Sequence, residues 1–281
     1  MLRICVAVLF LVSSIANAAG IPEPQNKAAF NNFKTILSGF FIKRGINSAK
    51  SGKKTEFFQD VNGSYSSVQL YREYKQNELV ANKKYKGKKI RVHGTTESVT
   101  ENFIGQAVVK TESPDFFLGS TMYNVDKEDP YVLNLVPGSK VDMVCVGAGF
   151  VMDSPILNNC VSTDSYIETQ IKKNINFSKV MDGLTYLYYI PNEDILGKEC
   201  HTTASCNEFI SIIALLVNRN GDEYTEKNFT EDEKKEIIQL VERYEITEKS
   251  ISERTDKMKN FVEKYKTEFE KRFGFNGDSK L

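Results

Sequence analysis

The chain contains no tryptophan and only two histidines among its 281 residues, and its 37 basic residues are balanced by 37 acidic ones. With His93 and His201 as the only histidines, few acid–base or metal sites can be built. The aromatic residues do not alternate with lysines, as they do in platforms that stack single-stranded nucleic acid. We therefore expect no nucleic-acid ligand.

Catalytic motifs are also missing. The sequence has no GxSxG, HExxH, GxxxxGK[ST] or CxxC pattern and no EF-hand loop. We predict a protein that is not an enzyme and that uses no cofactor and no metal. An unrecognised hydrolase is the alternative, because sequence alone does not exclude a Ser-His-Asp set.

The first 18 residues have the layout of a cleaved secretory signal peptide. Arg3 precedes an apolar run over residues 4–12, and Ala16 and Ala18 provide a small-residue cleavage site. A membrane anchor is the alternative, but the run is shorter than the roughly 20 residues that a span requires. No later stretch is apolar enough to cross a bilayer. We expect an exported protein, in the bacterial periplasm or, as the alternative, secreted.

Four cysteines follow the predicted cleavage site, and an even number in an exported chain indicates disulfides. Three pairings are possible. We favour Cys145–Cys160, which joins two neighbouring predicted strands, and Cys200–Cys206, which closes a short loop. A metal site at Cys200, His201 and Cys206 is the alternative, with only three ligands.

Charge is unevenly distributed along the chain. In residues 27–94 basic residues outnumber acidic ones, and in residues 95–170 acidic residues outnumber basic ones. Two opposed biases in one folding unit indicate a surface of salt bridges, and the functional alternative is a face that attracts anions. The candidate anion-binding residues are Lys86, Lys88, Lys89 and Arg91.

Apolar periodicity predicts a helix over residues 27–43, a connector over 45–54, and a second helix from residue 68 whose stripe reaches Leu79. Strict alternation in residues 89–94 predicts a half-buried strand, with Ile90 facing inward. Further predicted strands cover 103–110, 116–125, 140–146 and 156–161, with a short helix over 126–135.

Five short strands with a helix between the third and fourth follow the order of an OB-fold barrel. The predicted fold class is α+β: an OB-fold-like barrel preceded by a helix and followed by a helical C-terminal region with a long charged helix. The predicted segments are a signal peptide (1–18), a lead-in and helix (19–63), the barrel domain (64–162) and the helical region (163–281).

Short motifs in this order resemble the exported bacterial OB-fold family named for its similarity to tRNA anticodon-binding domains. They are Asn77-Glu78, Ala81, Tyr85-Lys86-Gly87-Lys88, Gly94, Leu135-x-x-Gly138, Cys145, Pro155 and Cys160. The resemblance covers about residues 68–162. It implies a barrel preceded by a helix and a Cys145–Cys160 bridge. The family has no agreed activity, so no catalytic residue is carried over.

The C-terminal region is expected to be helical. Residues 209–217 are the most apolar segment after the predicted signal peptide and indicate a buried helix. Residues 230–273 contain no Gly or Pro and form either one continuous coiled-coil helix or a hairpin that folds back near residue 246. We favour the hairpin or packing on the 209–217 helix, because Glu248 and Thr255 interrupt the apolar seam.

The favoured function is a non-enzymatic binding protein whose partner is a protein or an anionic envelope component. OB barrels commonly bind ligands across strands two and three, which indicates Phe103, Gln106, Phe116 and Phe117 as further candidate contacts. An assembly or structural factor that associates through the long C-terminal helix is the alternative.

Overall fold

The computed structural model describes residues 20–51, 55–102, 104–112, 119–174, 176–217, 230–245 and 247–274; the predicted signal peptide lies outside these ranges. The helices are α1 (Lys27–Lys50), α2 (Ser67–Gln76), α3 (Glu78–Tyr85), α4 (Pro130–Leu133), α5 (Thr163–Asn174), α6 (Phe177–Tyr189), α7 (Glu193–Glu199), α8 (Thr203–Val217), α9 (Glu231–Arg243) and α10 (Glu248–Phe273). The strands are β1 (Ser64–Ser66), β2 (Lys89–Glu101), β3 (Ala107–Thr111), β4 (Met122–Val125), β5 (Lys140–Val151) and β6 (Ser154–Ser162).

Contacts divide the chain into two compact units. One is Phe40–Phe177, and the other consists of the described residues of Met1–Gly39 and Ser178–Leu281. The boundaries fall inside α1 and at the start of α6. All six strands belong to the first unit, which we call the barrel unit, and the second is the helical unit.

The barrel unit contains a closed five-stranded barrel. The strands follow the order β2-β3-β4-β6-β5, and β5 pairs again with β2. The short strand β1 adds to β2 in parallel. Closure leaves these five strands without a free edge for intermolecular pairing. The predicted OB-fold-like barrel, with a short helix between its third and fourth strands, is confirmed.

Alternation along β2 fills the barrel as the sequence predicts. Ile90 and Val92 are fully buried, whereas Lys89, Arg91 and His93 face outward. Tyr123 from β4 and Met143 from β5 are also fully buried. Burying a large aliphatic side chain stabilises a fold by about 1.5–3 kcal/mol. The disulfide Cys145–Cys160 joins β5 to β6 inside the same core, which confirms this predicted bridge.

Two helices, α2 and α3, take the place of the single helix predicted from residue 68. Asn77 has extended φ and ψ, ends α2 and accepts a hydrogen bond from the Val80 backbone as the N-cap of α3. The predicted apolar stripe that reaches Leu79 is therefore wrong at its end, because α3 starts with a new orientation and leaves Leu79 76% exposed. Ser66 is the N-cap of α2, and its side chain accepts a hydrogen bond from Gln69 N at 3.0 Å.

Residues 45–50 are helical, and the connector predicted there is wrong. They continue α1 because Ile46 and Ala49 pack with Tyr166 and Ile171 of α5. Tertiary burial thus overrides the helix-breaking tendency of Gly45 and its polar neighbours.

In the helical unit, aromatic contacts hold α1 against α6. The ring of Phe30 lies 5.1 Å from Tyr186 and 5.2 Å from Tyr189, edge to face. Such pairs add about 0.5–1.5 kcal/mol each beyond simple burial. The predicted Cys200–Cys206 disulfide is confirmed and joins the end of α7 to α8.

The charged C-terminal segment is broken into α9 and α10. Glu245 takes a positive φ of 46°, and Thr247 begins α10 in a capping box with Ser250. Gly274 ends α10 at φ 71°, a left-handed conformation that glycine adopts without strain. One continuous helix over residues 230–273 is therefore wrong. Tyr244, just after α9, contacts Phe209 of α8 at 5.9 Å between ring centroids.

Candidate ligand-binding surfaces

The structure places two of the four predicted anion-binding residues in internal ion pairs. Lys89 is paired with Asp60, and its ammonium lies 5.3 Å from the centre of the Tyr166 ring. The hydrogen bond from Lys89 lowers the pKa of the Asp60 carboxyl, and a hydrogen bond from Tyr166 acts in the same direction. The positive charge of Lys89 is thus compensated within the barrel unit.

The positive charge of Arg91 is compensated more completely than that of Lys89. Its guanidinium donates from Nε to Asp142 Oδ1 at 2.8 Å and from Nη2 to Oδ2 at 2.6 Å. Thr163 donates a third hydrogen bond to Asp142 at 2.7 Å. Burial acts to raise the pKa of Asp142, but the hydrogen bonds from Arg91 and Thr163 outweigh it, so the pKa lies below its usual value. Arg91 therefore joins β2 to β5 rather than facing solvent with a free charge.

The environments of Lys86 and Lys88 differ from those of Lys89 and Arg91. Both side chains are exposed at the turn between α3 and β2. In the ranges that the structure covers, no carboxylate pairs with either lysine. The turn leaves two uncompensated positive charges beside the barrel.

The predicted contacts on strands two and three divide into two groups. Gln106 is exposed immediately before β3, and Asn102 closes that hairpin by accepting hydrogen bonds from the Ile104 and Gln106 backbone. Phe103, Phe116 and Phe117 lie outside the described residues.

An apolar groove lies beside the β2–β3 hairpin, and sequence reasoning did not find it. Its volume is about 370 Å³. Strand ends and α4 form its lining, which comprises Val99, Thr100, Glu101, Ala107, Lys127, Val132, Leu133 and Leu135. We call it the α4 groove.

Leu133 is 69% exposed at the groove, whereas the neighbouring Val132 is buried. Ile104 of the adjoining hairpin and Val136 after α4 are also largely exposed. A helix of four residues can bury one face only, so residues 132–136, which are apolar except for Asn134, leave apolar surface in solvent. These apolar residues on so short a helix were the feature of the sequence that could have indicated the groove.

Neither histidine belongs to a visible catalytic or metal site. His93 is exposed on β2. His201 Nδ1 lies 2.8 Å from the Lys198 carbonyl, and Ser205 donates its hydroxyl to the Glu199 carbonyl at 2.7 Å. A ring nitrogen that faces a carbonyl carries the proton and is not a base for Ser205. The alternative metal site at Cys200 and Cys206 is wrong, because these thiols form a disulfide.

Among the described residues there is no helix with both the length and the apolar character of a membrane span. The same residues contain no cluster of His, Cys, Asp or Glu arranged to hold a metal ion.

The chain is similar to a known protein family and to a solved structure. The sequence model of the tRNA_anti-like family matches residues 1–161. A crystal structure of a Klebsiella pneumoniae lipoprotein with a proposed nucleic-acid-binding role is similar, with 21% identity and a TM-score of 0.30. The match covers 35% of this chain and 89% of that one. None of the curated proteins matches the sequence significantly.

Proposed function

Since the chain belongs to the tRNA_anti-like family, we propose that it is an exported binding protein whose barrel holds a protein ligand in the α4 groove. The exposure of Leu133 beside this groove is the observation that carries the proposal. Exposed apolar surface that borders a concave site is typical of binding sites.

Export is supported by two features. Residues 1–18 have the pattern of a secretory signal peptide, and four cysteines form two disulfides. Disulfides persist in oxidising compartments such as the bacterial periplasm and are rare in the cytosol. We propose the periplasm, with secretion as the alternative.

Binding, and not catalysis, is the proposed activity. The favoured ligand is a protein, because the groove is lined mainly by aliphatic side chains that suit a partner's apolar side chain. Nucleic acid is not proposed, since Lys89 and Arg91 are already paired with carboxylates.

An anionic envelope component is a second candidate ligand. The exposed Lys86 and Lys88 favour it, because uncompensated lysines at a turn attract anions at low ionic strength. Gln106 is exposed and precedes the groove residue Ala107 in the sequence, and it is proposed as a further ligand contact.

A third candidate function is assembly through the C-terminal helices. Ile238 on α9 and Ile251 on α10 are each 55% exposed, which favours a helix-mediated partner. Light scattering on the full-length protein checks it: a wild-type oligomer that dissociates in the Ile238→Gln/Ile251→Gln variant supports this function, and a monomeric wild type contradicts it.

Site-specific photo-crosslinking in the native host tests the proposed function. A photoreactive amino acid replaces Leu133 in one strain and Leu79 in a control strain, because Leu79 is similarly exposed but lies on α3. We expect a discrete crosslinked protein only from position 133. Equal products from both positions, or none from position 133, would contradict groove binding.

A further inference from the structure

We propose that the α4 groove accepts a large apolar side chain from a protein segment that is flanked by lysine or arginine. This inference rests on the proposed function and names the class of partner that the groove selects. It follows from the size of the groove, the charge of its rim and the weakness of the ion pair that now crosses it.

The size of the groove limits what enters it. Ligand pockets for whole small molecules range from about 300 to 1,000 Å³. At about 370 Å³ the α4 groove lies near the lower limit. It therefore suits one or two anchoring side chains, such as leucine or phenylalanine, and not the full apolar face of a helix. Val99, Ala107 and Leu135 provide the aliphatic walls for such an anchor.

The rim of the groove is acidic. Glu101 of β2 lies in the groove lining. Asp126, Glu128 and Asp129 form the segment that enters α4. Asp126 and Asp129 use one carboxylate oxygen each to cap this turn, accepting from Glu128 N at 3.0 Å and Tyr131 N at 2.9 Å. The two aspartates flank Lys127, a residue of the groove lining, in the sequence.

Lys127 is the basic residue of the groove lining. Its ammonium lies 3.9 Å from Glu101 Oε1, and the two side chains are 60% and 59% exposed. An ion pair this exposed contributes only about 0–1 kcal/mol. A partner's lysine or arginine can therefore replace Lys127 beside Glu101 at little cost.

The same charges argue against two other occupants. A second copy of this chain would bring one acidic rim against another, which is unfavourable across an interface. An anionic membrane surface would be repelled for the same reason. A segment with an apolar side chain between cationic residues is complementary to both the aliphatic walls and the acidic rim of the groove.

Fluorescence anisotropy with synthetic peptides tests the inference on the full-length exported protein. The probe is a labelled peptide with two central leucines between pairs of lysines. One matched peptide has glutamates in place of the lysines, and another has serines in place of the leucines. We expect the lysine-flanked peptide to bind at least tenfold more tightly than either, with affinity that falls as salt rises.

Two protein variants locate the binding. Leu133→Gln should weaken binding of the lysine-flanked peptide at least fivefold, and the matched control Leu79→Gln should leave it unchanged. Glu101→Gln/Glu128→Gln should reduce both the affinity and its salt dependence. Unchanged thermal unfolding of each variant, checked by circular dichroism, confirms that the fold is intact.

The outcomes separate the inference from the proposed function. If the glutamate-flanked peptide binds as tightly as the lysine-flanked one, and Leu133→Gln weakens both, the groove binds proteins but the partner class is wrong. If the lysine-flanked peptide does not bind while position 133 still crosslinks in cells, the partner class is again wrong. If Leu133→Gln changes nothing and position 133 does not crosslink, both are wrong. Self-association that Leu133→Gln abolishes would identify a second copy as the occupant.

Discussion

Arg91 on β2 holds Asp142 on β5 through two hydrogen bonds, from Nε to Oδ1 at 2.8 Å and from Nη2 to Oδ2 at 2.6 Å. The two residues are separated by 51 positions in the sequence, and their strands form the pairing that closes the barrel. Asp142 also accepts from Thr163 at the start of α5. One carboxylate therefore connects two strands and a helix.

Asp142→Asn should lower the free energy of unfolding by about 2 kcal/mol, because it leaves a half-buried guanidinium without its anion. Urea unfolding followed by circular dichroism measures the change. Asp164→Asn is the matched control, since Asp164 pairs with Lys50 on an exposed surface and its loss should cost less than about 1 kcal/mol. Equal losses in the two variants would contradict a special role for Asp142.

The carboxylate of Asp142 also predicts how the free energy of unfolding depends on pH. The folded-state pKa of Asp142 lies below its unfolded value, which is about 3.9 for aspartate. Its contribution is therefore complete above the unfolded pKa and is lost as pH falls through the folded pKa. Unfolding free energy measured between pH 6 and pH 3, at about half-unit steps, should fall less steeply in Asp142→Asn than in the wild type. Parallel curves would exclude Asp142 as a source of the acid sensitivity.

Removing the barrel disulfide should destabilise the protein more than removing the helical one. Cys145 and Cys160 are 15 positions apart, whereas Cys200 and Cys206 are 6 apart, and the entropic gain of a crosslink grows with loop length. We expect a loss of about 3 kcal/mol for Cys145→Ala/Cys160→Ala and a smaller loss for Cys200→Ala/Cys206→Ala. Thermal unfolding of the two double variants makes the comparison, and the reverse order would show that strain or packing outweighs loop closure.

Two glycine substitutions should act in opposite directions. A Cβ at Gly147 would lie 2.3 Å from the Tyr85 carbonyl oxygen, where β5 passes the end of α3. Gly147→Ala should therefore cost about 1–3 kcal/mol or more. Gly39 lies in α1 with nothing within 4 Å of its added Cβ, so Gly39→Ala should stabilise by about 0.5–1 kcal/mol. Urea unfolding checks both signs, and a stabilising Gly147→Ala would contradict the close approach.

Lys86 and Lys88, which pair with no carboxylate of the described residues, predict a change in anion binding without a change in stability. Lys86→Gln/Lys88→Gln should elute from a heparin column, used as a polyanion probe, at lower salt than the wild type. Lys89→Gln/Arg91→Gln should instead lower the unfolding temperature, because those side chains pair with Asp60 and Asp142. Unchanged heparin elution in the first variant would leave Lys86 and Lys88 without a role in anion binding.

Local patterns were sufficient to predict much of the barrel. Alternation at Ile90 and Val92 defines the strand, and the turn residue Gly138 marks the end of the α4 segment before β5. The cysteine pairs were predictable because each joins elements that adjoin in the sequence. These features depend on the period of a strand or on the length of a connection, and both can be counted along the chain.

The ion pairs and the groove could not be predicted in the same way. Lys89 finds Asp60 at a separation of 29 residues, and nothing near either residue indicates the other. The α4 groove combines Val99 and Ala107 of the β2–β3 hairpin with Leu135, which follows α4 and is distant from that hairpin in the sequence. The end of α2 was missed because Asn77 serves as the cap of the following helix, which an apolar stripe does not reveal.

The pairing between β2 and β5 also affects the order in which the barrel can fold. Residues Lys89–Thr95 of β2 pair with residues 140–146 of β5. The first barrel strand therefore cannot complete its pairing until residues about 50 positions later in the chain are present. Until β5 has been added to the chain, the Lys89–Thr95 part of β2 lacks its β5 partner. A product that ends before Lys140 would therefore leave this edge of β2 unpaired and open to pairing with another chain.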